Sequence, residues 1–198
     1  LSTAQLSKAF STTMIASLTT DQLGVLSSDD FSALSVTQLA SITADDLATL
    51  TTGQLSALTS TQVAALTTDQ IVALTSTQVS SLTTDEVKAL TTAQAGALLA
   101  QQLQGITTSQ TAAIESTDLA KVTTTALKAL TTDAVANLST DAVTSLSAAQ
   151  FGALSSEQVT ALTTTQAVEL GSTQTSGLTT AQTPSLEGVD LAKLSSTA

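Results

Sequence analysis

"ALTTDQIVALTSTQVSSLTTDEVKAL", residues 65–90, places a leucine at every eighth position. Thr-Thr or Thr-Ser follows each repeating leucine, and Gln or Glu comes three residues after the first threonine. Eight is an awkward period for either regular element. At about 100° per residue a continuous helix would drift by about 80° with each unit and spread its leucines around the whole circumference. A strand facing one core needs even gaps, whereas the apolar sites here fall at one, six and nine, gaps of five and three.

The period extends well beyond this stretch. Numbered from its first apolar residue, position one is Phe10, Leu18, Leu26 and every eighth residue to Leu194, which gives 24 large apolar anchors without an insertion. At 42% hydrophobic residues, chance would give this on the order of once in a billion. Position two is Ser or Thr in 20 units, position five is Gln, Asp or Glu in 19, and position six is Leu, Ile, Val or Phe in 18. Positions seven and eight are mostly Ala, Ser or Gly.

Together these positions form a helix start signal. Ser or Thr followed three residues later by Gln or Glu is a capping box, and apolar residues at N′ and N4 form a hydrophobic staple. In the quoted stretch Thr67 caps, Gln70 returns the bond, Leu66 clasps Ile71, and Asp69 meets the positive end of the helix dipole. The spacing therefore predicts an all-α, elongated solenoid of about 23 units, each a short capped helix over positions three to eight. A β-solenoid is the competing fold, given the abundant Thr, Val and Ile, but it gives no reason for the paired Ser/Thr and Gln/Glu. A two-turn helix does not hold alone in water, so neighbouring units must share a core.

The number of units per coil is left open by sequence. "TSTQV" at 59–63 and 75–79 alternates with "TTDQI" and "TTDEV", favouring two units per coil and a rod on the order of 100 Å long. Asp21, Asp45 and Asp69 recur every 24 residues, favouring three. Residues 1–9 form an irregular lead-in, and 10–198 form a single repeat array ending in the partial unit "LSSTA". The chain reads as a piece of a longer array whose open ends lack polar caps.

Several units depart from the pattern. Leu99, Glu115 and Gly171 take cap sites, and Ala126, Ala134 and Ala142 replace the returning Gln. Thr175 and Thr183 take staple sites, and Pro184 falls where a helix interior needs an amide. These departures read first as drift in redundant units. The sharper reading is a bend at 98–121 and a loosened end after 170.

Composition restricts the chemistry. There is no His, Cys, Trp or Tyr, the five basic residues are all lysines, and the net charge is −11. No catalytic, cofactor-binding or metal-ligating residue is assigned, and the chain reads as not an enzyme. Asp29 with Asp30, Asp45 with Asp46, and Asp85 with Glu86 are adjacent acidic pairs, but they occupy N2 and N3 sites where acids serve the helix dipole. Neither an EF-hand spacing nor a calcium-binding glycine-aspartate run is present. Lys88, Lys121, Lys128 and Lys193 fall at positions seven or eight, where a cation suits the helix end. Residues 137–139, "NLS", match a glycosylation sequon across a repeat junction.

The acidic charge argues against nucleic acid as a partner. No apolar run is long enough to insert in a membrane. Glycan or ice binding would require an unbroken threonine face. A cysteine-free, Thr/Ser-rich, lysine-poor chain fits an extracellular or bacterial cell-surface setting, with self-association, end to end or lateral, or neighbouring repeats of a longer chain as partners.

The units "LTTDQLGV" (18–25), "LTSTQVAA" (58–65) and "LTTDQIVA" (66–73) resemble the Leu-Thr-x-x-Gln octapeptide arrays of large secreted or surface bacterial proteins, often of adhesin type. They are more loosely similar to the short superhelical repeats of the mesothelin and stereocilin group. The resemblance implies an extended helical stalk, spacer or filament body and carries over no functional residue.

Overall fold

The computed structural model describes residues 10–186. The lead-in 1–9, Lys8, Lys193 and the units beyond Leu186 lie outside the described residues. Within them the chain forms 22 helices of four to six residues, α1 (Thr12–Ala16) to α22 (Thr183–Leu186), and no strand. The fold is an all-α solenoid.

Each helix from α1 to α21 begins at position three of its unit. Position two is the N-cap and is extended in every one of these units, as in Thr75 with φ −71° and ψ 160°. After a six-residue helix, position one of the next unit is extended or nearly so, as in Leu74 with φ −60° and ψ 137°. Two successive extended residues thus turn the chain between helices without Gly or Pro. The anchor also closes the helix behind it. Leu58, Leu66 and Leu82 donate their N–H groups to the position-six carbonyls of Leu55, Val63 and Val79 at 3.0–3.2 Å, satisfying last-turn acceptors that a helix otherwise leaves open.

The closely packed helix pairs are all three apart in the chain. Thus α10 (Thr84–Lys88) lies between α7 (Ser60–Ala64) and α13 (Thr108–Ala113). One coil is therefore three units, or 24 residues, as the Asp21, Asp45 and Asp69 spacing indicated. The alternating TSTQV pattern does not mark a coil. At the ~8–10 Å spacing of packed helices, about seven coils make a rod roughly 60–70 Å long, shorter than two units per coil would give. The same third-neighbour packing runs through 98–121.

Anchors from Leu34 to Leu170 are buried, and with the position-six residues they form one continuous core. Thr111, Thr175 and Thr183 take position six without an apolar side chain. Each donates its hydroxyl to the carbonyl four residues back, at 2.8, 3.0 and 3.1 Å respectively. Pro184 does not interrupt a helix, because α22 starts late, at Thr183, and places the proline in its first turn, where no amide is needed.

Small residues at positions seven and eight let successive coils approach closely. Where α18 (Ala148–Ala153) packs on α21 (Ser172–Ser176), a Cβ added to Gly177 would run into the Ala148 carbonyl oxygen. At Gly24 an added Cβ meets nothing. Gly177→Ala is expected to destabilise by about 1–3 kcal/mol through overpacking, whereas Gly24→Ala, within a helix, is expected to gain about 0.5–1 kcal/mol. Urea unfolding followed by circular dichroism separates the two, and equal midpoints would show that the coils are not in close contact at 148–177.

Candidate functional site

The capping boxes form as the spacing predicts. Thr67 Oγ1 accepts the Gln70 N–H at 3.2 Å, and Gln70 Oε1 accepts the Thr67 N–H at 2.8 Å. The acidic pairs sit in first turns. Asp30 closes a box with Ser27, and Glu86 one with Thr83. Asp46 instead accepts the Thr43 hydroxyl at 2.6 Å and the Thr20 hydroxyl of the preceding coil at 2.9 Å. Lys88 lies in a last helical turn and Lys128 at a C-cap.

The other half of the glutamine was not anticipated. The position-five glutamines from Gln38 to Gln182 are buried, Gln102 at 0% exposure and Gln70 at 1%. Their Nε2 groups turn away from the cap and donate to the coil beneath. Gln70 reaches the carbonyls of Leu39 at 2.9 Å and Ile42 at 2.7 Å, and Gln102 those of Ile71 at 2.7 Å and Leu74 at 2.8 Å. Gln94, Gln110, Gln150, Gln158 and Gln166 repeat the arrangement at offsets of 31 and 28 residues.

The acceptors are the position-six carbonyl of one helix and the position-one carbonyl of the linker that follows it. One amide thus starts a helix in its own coil and occupies helix-end and linker acceptors in the coil below. At Leu99 and Gly171, which offer no hydroxyl, only the returning half of the box persists, with Gln102 and Gln174 accepting the Leu99 and Gly171 N–H groups at 2.8 and 3.1 Å. A signal for the ladder was present in composition. Position five carries fourteen glutamines and a single glutamate, Glu86, whereas a capping box alone accepts either.

The ladder is interrupted once for more than a full coil. Asp118, Ala126, Ala134 and Ala142 are consecutive position-five residues. The three alanine units keep only the hydroxyl half of the box, at 3.1–3.2 Å. Glu115, the N-cap of the Asp118 unit, makes no side-chain cap. Asp118 is 4% exposed and lines an internal cavity of about 20 Å³ among Val87, Leu90, Ala95 and Leu98. Burial, then the nearby Glu115 charge, raises its carboxyl above the ordinary range. That volume is enough for about one water.

Among the described residues no three His, Cys, Asp or Glu side chains gather as a metal site, and no helix is long and apolar enough to cross a membrane. The most developed side-chain network is the one that joins repeat to repeat.

Sequence comparison agrees with that reading. The ALTTAQ repeat family matches residues 25–60, 39–76, 111–148 and 135–164, together spanning 25–76 and 111–164, just over half of the 198 residues. The chain belongs to the ALTTAQ repeat family. Residues 89–94 spell the family's hexapeptide. In that ALTTAQ unit Leu90 is the anchor, Thr91 the cap, and Gln94 the two-sided bridge. No curated protein matches the chain closely enough to count as a relative.

Gln70→Leu keeps the volume and removes both hydrogen-bonding ends, leaving the Thr67 N–H and the Ile42 carbonyl without the amide. It is expected to cost about 2–5 kcal/mol. Gln22 is exposed, and the bond it accepts is the local one from Thr19 at 2.9 Å, so Gln22→Leu is expected to cost under about 1 kcal/mol. Chemical denaturation of the two variants checks this, and equal losses would show that the cross-coil bonds add nothing.

Proposed function

We propose that this helical repeat array is a non-enzymatic structural element, a stalk, spacer or filament body of an extracellular bacterial surface protein. The observation that carries the reading is the use of glutamine amides for coil-to-coil bonding, which joins a simple octad into a continuous rod. Solenoids of this kind gain length by adding like units, each held by its neighbours. The missing His and Cys, the scattered lysines and the likeness to octapeptide arrays of secreted bacterial proteins point the same way.

Glycan or ice binding is the weaker reading. With coils of 24 residues, position-three side chains stack into three rows, and Val36, Ala44, Ala100 and Ala148 break the hydroxyl series on all of them. Ser28, Ser60 and Ser156 in these rows bond to the next coil instead, at the carbonyls of Gly53, Asp85 and Ala181.

Removing residues 42–65, one whole coil, tests the spacer. The maximum dimension in small-angle scattering is expected to fall by ~8–10 Å with helical circular dichroism retained. An unchanged length or a lost helical spectrum overturns the reading. A dimension that grows with protein concentration identifies a filament body, and a constant one a tether.

A further inference from the structure

Glu86 occupies a glutamine's place. It stands on the same row as Gln62 one coil before it and Gln110 one coil after it. Its Oε2 accepts the Thr83 N–H at 2.5 Å, as a glutamine Oε1 does elsewhere. Its Oε1 falls where the other rungs carry the donating Nε2, and there it is buried without a hydrogen-bond partner. By the 31- and 28-residue offsets of the ladder, the acceptors belonging to this rung are the carbonyls of Leu55 and Leu58. An ionised carboxylate offers those carbonyls a lone pair where every neighbouring rung offers an N–H, and an unpaired buried oxygen is costly.

We propose that Glu86 is a proton-operated rung: the neutral acid donates its single O–H from Oε1 to one of the two carbonyls of Leu55 and Leu58 and closes the seam, and ionisation opens it. The surroundings offer no compensating charge. Neither α7 nor α13, packed on either side, carries a charged residue, nor do α6 (Thr52–Leu55), α9 (Ser76–Ser81) or α11 (Thr92–Ala97). The charged residues of its own helix, Asp85 and Lys88, are exposed. Burial raises the Glu86 carboxyl above its ordinary range against the lowering effect of the Thr83 backbone and hydroxyl bonds.

Because the folded-state value lies above the unfolded one, the stabilisation is complete below the ordinary carboxyl range. It is lost as pH rises through the folded-state value. The rod is thus tighter at this coil below the folded-state value than above it.

Glu86→Gln supplies the amide at every pH and suits a fold that uses glutamine at this position in fourteen other units. Native-state hydrogen exchange over residues 82–90 is compared between wild type and this variant at matched pH, so that intrinsic exchange and all other acids cancel. The wild-type to variant rate ratio is expected near one in acid. It then rises about tenfold per pH unit between the ordinary carboxyl value and that of folded Glu86, and levels off above it. Carbon-13 titration of the Glu86 carboxyl reports the same upward displacement. A ratio independent of pH, or a carboxyl that titrates in the ordinary range or below, overturns the proposal.

Discussion

One carboxamide bonded at both ends holds this solenoid together. Its oxygen fixes the first amide of a helix, and its nitrogen takes up carbonyls of the coil beneath, so helix initiation and coil stacking are one interaction. This explains why the residue is buried, against the usual cost of placing a polar side chain in a core. With both ends of the amide satisfied the penalty is removed, and the groups it satisfies are backbone groups that would otherwise be stranded at helix ends. An ionised glutamate keeps the first function and loses the second. An alanine loses both.

The eight-residue unit follows from the same economy of backbone groups. Four to six helical residues are too few to be stable alone, and they leave more open donors and acceptors than internal bonds can use. The unit disposes of them in order. Position two caps the N3 amide, position five caps the N-cap amide, the next anchor covers the position-six carbonyl, and a glutamine from the following coil covers the anchor's carbonyl. Two extended residues between helices then suffice to turn the chain by a third of a coil, and the turn puts positions one, five and six inward.

The local half of this scheme was legible at Thr67 and Gln70 because donor and acceptor lie three residues apart and both leave a mark in side-chain identity. The helix starts and the choice of α over β followed from that pairing, whereas only six of the helices α1 to α21 run on to position eight. The coil was not legible to the same degree. The cross-coil partners of Gln70 are the carbonyls of Leu39 and Ile42, and a carbonyl is the same whatever residue bears it, so neither offset is written in the sequence. Alternating Asp and Thr at position four reflects exposed positions that stacking scarcely constrains, which is why it suggested a two-unit coil. Pro184 was judged against a helix expected to start at position three. In the structure the helix starts later, and the proline then sits where its missing amide does no harm.

The interruption at Asp118, Ala126, Ala134 and Ala142 gives the departures a spatial meaning that drift alone would not. A single missing rung leaves its neighbours in the same coil to hold the layer, but four consecutive ones remove the amide bridges from more than a whole coil at once. In a linear array stability is the sum of unit and interface terms, so this interface depends on apolar contact, with no help from the ladder, and it borders the cavity at Asp118. Glutamine bonding therefore runs in two blocks, one from Gln38 to Gln110, broken singly at Asp46 and Glu86, and one from Gln150 to Gln182, joined by a coil of different chemistry. Glu86 interrupts the first block differently, since its side chain is in place and presents an oxygen where the other rungs present an N–H. A rod that looks uniform by period is thus divided by its hydrogen bonds, and local opening is expected to follow those divisions rather than the repeat count.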